Sequence, residues 1–359
     1  MSSVWGKRFI VDIFGESHGA MIGVTMHGVP AGTVIDFGKV RAFLARRQAG
    51  GEAWSTPRKE ADDFEVVSGY FDGFATGTPL TVLFRNQQQH SEDYAGRPNR
   101  PGHADYSGFV RYGGHNDPRG GGHFSGRLTA PLVFAGAVAA QLLETRGIYA
   151  ATHVRRIADV EDTPFDKTDI PRELAERLKA QRLPVIDESK GAPIEQAVVD
   201  AASCGDSVGG IVECALVGVP TGAGSPMMDT VESALASILF AVPAVKAVSF
   251  GEGFGFAGLR GSEANDAYAM RDGKIVTETN HNGGVIGGIT TGMPVVFEVA
   301  VKPTASISLP QQTVNLETME PETIAVRGRH DACIVPRASA AIEAAACIAM
   351  IDLILERNM

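Results

Sequence analysis

Side chains that bind anions are concentrated between positions 100 and 127. This stretch holds four Arg, three His and eight Gly. Arginine presents a planar fork of N–H donors to phosphate and carboxylate groups. At Leu128 the sequence becomes apolar and helix-like, so we interpret 100–127 as a loop that leads into a helix. The N-terminal end of a helix favours negative charge, and Arg119 and Arg127 flank this point, so the stretch predicts an anion site.

Simpler explanations exist for each part of this stretch. A run of three glycines is often only a flexible turn, and a single His is more often structural than catalytic. The excess of Arg over Lys, 23 to 9, also fits a genomic preference for Arg codons. We favour an anion site because several cations placed close together repel one another unless an anion compensates them.

Four other segments carry candidate site residues. Two glycines bracket Glu-Ser-His at 15–19, and an Arg pair at 46–47 follows an apolar helical pattern. Residues 302–306 place a cation, a proline and two hydroxyls after a strand, and 327–331 hold two Arg, a His and an Asp. The Arg pair also fits a solvated helix face, and Asp331 also fits a surface ion pair with Arg329.

Composition limits the class of protein. The chain has 359 residues, of which 44% are hydrophobic and 21% charged, enough for one extended core or two domains. Its net charge of -10 argues against a nucleic-acid or membrane-surface partner. The four Cys form no Cys-x-x-Cys pair, the His residues lack metal-ligand spacing, and the start has no signal-peptide pattern. We therefore expect a cytoplasmic protein without a metal.

The remaining pattern indicates an α+β fold with antiparallel sheets, because strand pairs are followed by helices. We find no internal repeat, and residues 86–99 have no period and predict a loop. Predicted strands cover 8–14, 24–26, 64–67, 80–84, 211–219, 245–250 and 293–301. Predicted helices run from a cap at Asp36 to Gly50, and over 128–146, 172–179, 193–201, 228–241 and 338–357.

Taken in order, these motifs resemble the chorismate synthase family over nearly the whole chain. The segments that carry the resemblance are 14–19 (FGESHG), 76–79 (TGTP), 100–106 (RPGHADY), 119–122 (RGGG), 302–304 (KPT) and 328–331 (GRHD). The resemblance implies one domain over 1–359, with a helical layer sandwiched between antiparallel β-sheets, assembled as a homotetramer. It also implies a lyase that converts 5-enolpyruvylshikimate 3-phosphate to chorismate and phosphate with reduced FMN.

The resemblance also assigns roles to individual residues. It implies that Ser17, His18, His103 and Asp331 are catalytic: His103 protonates the departing phosphate, His18 with Ser17 lies near the flavin, and Asp331 helps remove the ring proton. The implied substrate-binding residues are Arg47, Arg100, Arg127 and Arg329. The implied flavin contacts are His123, Phe124, Ser125, Gly287, Lys302, Pro303, Thr304, Ala305, Ser306 and again Arg329.

The chain departs from the family pattern at several positions. His123 and Phe124 stand where an Arg and a Ser are usual, Ala53 replaces an Arg, and Pro243 replaces an Asn. Phe124 fits either stacking on the flavin or packing in the core. The sequence leaves open whether NADPH reduces the flavin. The alternative function is a non-catalytic phosphometabolite-binding protein on the same fold.

Overall fold

The structure, a computed structural model, describes residues 3–52, 62–86, 99–326 and 331–357. The strands are β1 (Val4–Trp5), β2 (Ile10–Gly15), β3 (Met21–His27), β4 (Phe64–Ser68), β5 (Tyr70–Phe71), β6 (Phe74–Ala75), β7 (Leu80–Arg85), β8 (Tyr149–Ile157), β9 (Val160–Glu161), β10 (Gly210–Val217), β11 (Val245–Phe250), β12 (Tyr268–Arg271), β13 (Lys274–Thr277), β14 (Val285–Ile286), β15 (Ile289–Thr290), β16 (Val295–Val301), β17 (Gln311–Val314) and β18 (Pro321–Ile324). The α-helices are α1 (Phe37–Arg47), α2 (Asp105–Arg111), α3 (Thr129–Glu144), α4 (Arg172–Ala180), α5 (Gly191–Ser203), α6 (Val231–Leu239), α7 (Gly261–Ala264) and α8 (Val335–Arg357).

Two antiparallel five-stranded sheets enclose a layer of helices that includes α3 and α8. The first has the order β1-β2-β3-β7-β4 and the second the order β11-β16-β10-β8-β9. Helix α3 packs against β2, β3 and β7 of the first sheet, and α8 packs against β8, β10 and β16 of the second. The predicted α+β fold, with a helical layer between antiparallel sheets, is therefore confirmed.

The centre of the helical layer is the contact between α3 and α8. Both helices are apolar on nearly every side, as expected of helices buried on all faces. A Cβ atom at Gly136 would lie 2.3 Å from Cβ of Ala344, so only glycine allows the two backbones to approach this closely. By length and composition, residues 126–144 and α8 could each cross a membrane, but most of each lies inside the core.

Every predicted element is present in the structure, but the prediction did not include strand β8, helix α2 or the short elements β1, β5, β6, β9, β12–β15, β17, β18 and α7. Strand β8 was not predicted, because its central residues include Thr152, His153 and two Arg. The polar atoms of His153 are satisfied inside the protein: Nδ1 lies 2.9 Å from Asp162 Oδ2, and Nε2 lies 2.8 Å from Glu213 Oε2. Helix α2 was also missed, because Gly108 interrupts it and weakens a helical pattern. Most of the loop predicted over 86–99 lies outside the described residues.

Helix α1 begins and ends as the sequence predicts, within three residues. The Asp36 carboxylate accepts hydrogen bonds from the backbone N–H groups of Gly38 and Lys39, so it caps the first turn. The helix ends at Arg47, whose positive charge suits the negative end of the helix dipole. This end of α1 points at the region where the candidate site residues meet.

Candidate active site

A cavity of about 270 Å³ opens between the end of α1, the start of α3 and the start of α8. Its wall contains residues from segments that are distant in the sequence. Eight of the predicted site residues line it: Ser17, His18, Arg47, Ser125, Arg127, Thr304, Ser306 and Asp331.

Two predicted substrate-binding arginines share one buried carboxylate. Nη1 of Arg47 donates to Oδ2 of Asp62, and Nη1 of Arg127 donates to Oδ1 of the same side chain. Nε of Arg47 also donates to Oγ1 of Thr129 at 3.1 Å, and Nε of Arg127 donates to Oδ1 of Asn86 at 3.1 Å. Burial lowers the pKa of Arg47, while the Asp62 carboxylate opposes this shift.

Arg100 and His103 form a second cluster beside the cavity. Asp105 accepts hydrogen bonds from Nε of Arg100 at 2.8 Å and from Nδ1 of His103 at 2.7 Å. Burial alone would raise the pKa of Asp105, but the hydrogen bonds from Arg100 and His103 hold it well below its usual value. An ionised carboxylate only accepts, so Nδ1 of His103 carries a proton. Nη1 of Arg100 reaches Oγ of Ser306 in the cavity wall at 3.3 Å.

The glycines at 120–122 bring two histidines to the same loop. A Cβ atom at Gly120 would lie 2.3 Å from Cδ2 of His18, and one at Gly121 would lie 3.1 Å from Nε2 of His103. Both glycines have positive φ angles, 60° and 89°, which larger residues rarely adopt. The glycines therefore serve close packing against His18 and His103.

Asp331 faces the cavity in contact with a residue that the sequence interpretation missed. Nη1 of Arg337 donates to Oδ2 of Asp331 at 2.5 Å, and Nε of Arg337 donates to the backbone oxygen of Arg47 at 2.8 Å. The backbone oxygen of Asp331 accepts from Oγ1 of Thr304 at 2.6 Å. Asp331 is thus tied both to the first turn of α8 and to the 302–306 segment.

Other predicted flavin contacts do not line this cavity in the part of the chain that the structure describes. His123 contacts the backbone oxygen of Gly15 through Nδ1 at 2.8 Å, and Phe124 packs against Gly108 of α2. Lys302 donates to the backbone oxygen of Gly102 at 2.5 Å. Gly287 lies in the turn between β14 and β15. The remaining two are Pro303 and Ala305, which flank Thr304.

Three further positions singled out in the sequence are Arg329 and the departures Ala53 and Pro243. Arg329 and Ala53 lie outside the described residues, so their predicted roles stay predictions. Pro243, which replaces an Asn of the family pattern, does line the cavity.

Charge compensation in the site differs from the expectation. We expected a bound anion to offset the repulsion among clustered cations, but carboxylates of the protein itself do so. Asp62 pairs with Arg47 and Arg127, Asp105 with Arg100, and Asp117 with Arg119. Arg119 is exposed and is not among the cavity-lining residues described, contrary to its predicted place at the anion site.

Asp62 and Arg337 are the functional candidates that sequence reasoning missed. Asp62 is one of several acidic residues between positions 60 and 65, and nothing in that run distinguishes it. Arg337 lies in the first turn of a helix, where its charge alone gives no indication of its partners. Only the packing of α1, α3 and α8 brings both residues to the cavity.

Known proteins resemble the chain over nearly its whole length. The chorismate synthase sequence family matches residues 9–355. The chain is 43% identical to the chorismate synthase of Dehalococcoides mccartyi, over 100% of this chain and 98% of that protein. It is 47% identical to that of Thermococcus gammatolerans, over 98% of each chain.

The fold is similar as well. A crystal structure of chorismate synthase superposes with a TM-score of 0.76 at 25% identity, covering 98% of this chain and 93% of that one. These matches give no support to the alternative of a non-catalytic binding protein. The chain belongs to the chorismate synthase family.

Proposed function

We propose that this chain is a carbon–oxygen lyase that eliminates phosphate from 5-enolpyruvylshikimate 3-phosphate by a 1,4-anti elimination. The product is chorismate, the last common intermediate toward the aromatic amino acids in the shikimate pathway. The observation that carries the proposal is a single cavity lined by Arg47, Arg127, Ser17, His18 and Asp331. Membership of the family supports the same activity.

The arginines bind the anionic groups of the substrate. That substrate carries one phosphate and two carboxylates, and a guanidinium group can donate two parallel hydrogen bonds to either. Arg47 and Arg127 lie next to the first turn of α3, whose backbone N–H groups add positive potential. Arg100, and Arg329 beyond the described residues, complete the proposed set of cations.

His103 and Asp331 move the protons. Nδ1 of His103 donates its proton to the hydrogen bond with Asp105. The other ring nitrogen, Nε2, is therefore the atom that protonates the leaving phosphate. Asp331 accepts the ring proton, and its hydrogen bond from Arg337 orients the carboxylate. Ser17 and His18 line the same cavity as Asp331.

Reduced FMN is the cofactor that we infer from the family resemblance. Three predicted contacts fit it, since Ser125, Thr304 and Ser306 place hydroxyl groups on the cavity wall, where they can bind the polar edge of a flavin ring. When bound, the reduced flavin supplies transient negative charge that helps to expel phosphate, and no net electrons are consumed. An independent test is a change in the FMN absorption spectrum when protein and substrate are added.

The activity is tested under anaerobic conditions with purified protein, substrate and chemically reduced FMN. We expect equal amounts of chorismate and phosphate, and no product with oxidised FMN alone. Net oxidation of one FMN per phosphate would contradict the proposed reaction. Adding NADPH to oxidised FMN then determines whether the chain reduces its own flavin.

We also infer a cytoplasmic homotetramer built from one domain over 1–359. One apolar core contains side chains from Phe9 to Ile354, which supports a single domain. Apolar side chains on the β12–β13 hairpin, including Tyr268, Met270 and Ile275, are about 70% exposed, which supports burial against other copies. Light scattering coupled to gel filtration gives the mass: a monomer at micromolar concentration would contradict the tetramer.

A further inference from the structure

Asp62 occupies an unusual position in the cavity wall. Its side chain has no exposed surface, and its two oxygens accept hydrogen bonds from different arginines, Arg47 and Arg127. Its backbone has a φ of 48°, which costs energy for a residue with a Cβ atom. Asp62 is therefore held in place by its surroundings and acts as a fixed negative charge between two cations.

The two arginines are fixed from other directions as well. Thr129 and Asn86 accept from the Nε atoms of Arg47 and Arg127 respectively. A guanidinium group has five N–H donors, so contacts of this kind can orient it and still allow it to bind ligand oxygens. The geometry is that of an anion-binding pair whose direction is set by the protein before a ligand arrives.

Asp62 also changes the strength of the anion site. The charged side chains that line the cavity are Arg47, Arg127 and Arg337 against Asp62 and Asp331, an excess of one positive charge among the described lining residues. Without Asp62 the excess would be two. In a partly water-excluded site, one unit charge a few ångströms away changes the affinity for an anion by about 10-fold to 100-fold.

We propose that Asp62 is a specificity-determining and positioning residue that lowers the affinity of the cavity for small free anions such as inorganic phosphate. A lone phosphate depends on the cations of the cavity wall, whereas a ligand with several anionic groups also gains contacts with cations beyond it. Asp62 therefore keeps the affinity for a lone phosphate low, so that the phosphate product can leave, and the further contacts of the multiply charged ligand offset the same repulsion. The part that concerns product release depends on the proposed function, but the effect on phosphate affinity does not.

The test measures binding of inorganic phosphate to the full chain by calorimetry, without substrate or flavin. We expect Asp62→Asn to bind phosphate about 10-fold or more tightly than wild type, with a steeper loss of affinity as salt rises. The control is Asp63→Asn, because Asp63 is the exposed neighbour and should leave phosphate affinity unchanged. A purely structural role for Asp62 would weaken phosphate binding, the opposite direction.

Folding of the variants is followed by circular dichroism. If Asp62→Asn does not fold, we use the double variant Asp62→Asn with Arg127→Gln, which restores the original net charge of the site and should bind phosphate within about threefold of wild type. Unchanged or weaker phosphate binding in folded Asp62→Asn overturns the proposal, as does failure of both variants to fold. Because this assay needs no turnover, an inactive wild type would contradict the proposed function without affecting this result.

Discussion

Arg337 donates a hydrogen bond from Nη1 to Oδ2 of Asp331, and the two atoms are 2.5 Å apart. The same guanidinium donates from Nε to the backbone oxygen of Arg47, so one side chain links the proposed base to the proposed anion site. The link spans the junction of α1 and α8. It makes the position of Asp331 depend on helix packing as well as on its own loop.

Replacing Asp331 with Asn should abolish most turnover. The variant keeps the size and hydrogen bonding of the side chain but removes the base, so we expect kcat to fall by roughly 10² to 10⁴-fold with substrate binding retained. Stopped-flow and steady-state phosphate release measure this effect. The matched control is Asp159→Asn, a fully exposed residue in the β8–β9 turn. Near-normal turnover in Asp331→Asn would leave Asp331 as the ion-pair partner of Arg337 without a catalytic role.

His103 and Asp105 should act as one unit. We expect His103→Ala to lower kcat by roughly 10² to 10⁴-fold, the usual effect of losing a general acid. Asp105→Asn should lower kcat too, because Asn no longer fixes the proton on Nδ1 of His103. His115→Ala is the control, since His115 is exposed. If kcat of the double variant of His103 and Asp105 falls by the product of the two single fold-changes, the two residues act independently and this prediction is wrong.

Arg47 and Arg127 should determine substrate affinity. Arg47→Lys and Arg127→Lys keep the charge but lose the planar fork, so each should weaken binding, and a full loss of one charge-assisted contact costs about 1.5 to 3 kcal/mol. Calorimetry at low salt measures the affinity of each variant, because charge-assisted contacts are screened least there. Arg119→Lys is the control, because Arg119 is exposed and pairs with Asp117. Substrate affinity equal to that of wild type in Arg47→Lys and Arg127→Lys, as in the control, would contradict the binding role proposed for Arg47 and Arg127.

The buried His153 should make stability depend on pH. Burial alone would lower its pKa, but hydrogen bonds to Asp162 and Glu213 outweigh burial and raise the pKa above its ordinary 6.5. A raised pKa means that the stabilisation is complete below pH 6.5 and is lost as pH rises through the folded value. Burial alone would raise the pKa of Asp162, but its hydrogen bonds, with His153 first among them, lower it below 3.8. The stabilisation that the Asp162 carboxylate provides is therefore lost as pH falls below about 3.8.

We therefore expect the free energy of unfolding of wild type to fall as pH rises above 6.5. His153→Gln should be less stable by about 3 to 5 kcal/mol at pH 6, as for a broken buried ion pair, and the difference should narrow at higher pH. Urea unfolding at a series of pH values measures this. His115→Gln should keep the wild-type slope; the same slope in His153→Gln would show that another group is responsible.

The contact between α3 and α8 should tolerate no added atom at Gly136. Gly136→Ala places a Cβ atom 2.3 Å from Cβ of Ala344, so the helices must separate, at a cost of about 1 to 3 kcal/mol. Gly191→Ala at the start of α5 has open space and a helical φ of -56°, so it should be neutral or stabilising by up to about 1 kcal/mol. Thermal unfolding compares the two, and equal melting temperatures would show that the α3–α8 contact adjusts freely.

The sequence by itself determined the elements whose residue pattern is local. Alternating strands such as β2 and β7, the cap at Asp36 and the long apolar helices were predicted within a few residues, because period and capping depend on near neighbours. Strand β8 was missed because its buried polar residue His153 has partners 9 and 60 positions away. A residue whose partners are distant in the sequence gives no periodic signal.

The same distinction holds for the site. The sequence identified Ser17, His18, Arg47, Arg127 and Asp331 through their motifs, and the fold brings these side chains to one cavity. Only the tertiary structure decided that Arg119 lies outside it. Asp62 and Arg337 are recognised as site residues only in the folded chain, where α1, α3 and α8 pack around the cavity that both residues line. Charge compensation depends on distances of a few ångströms across the fold, and a linear order of residues does not contain those distances.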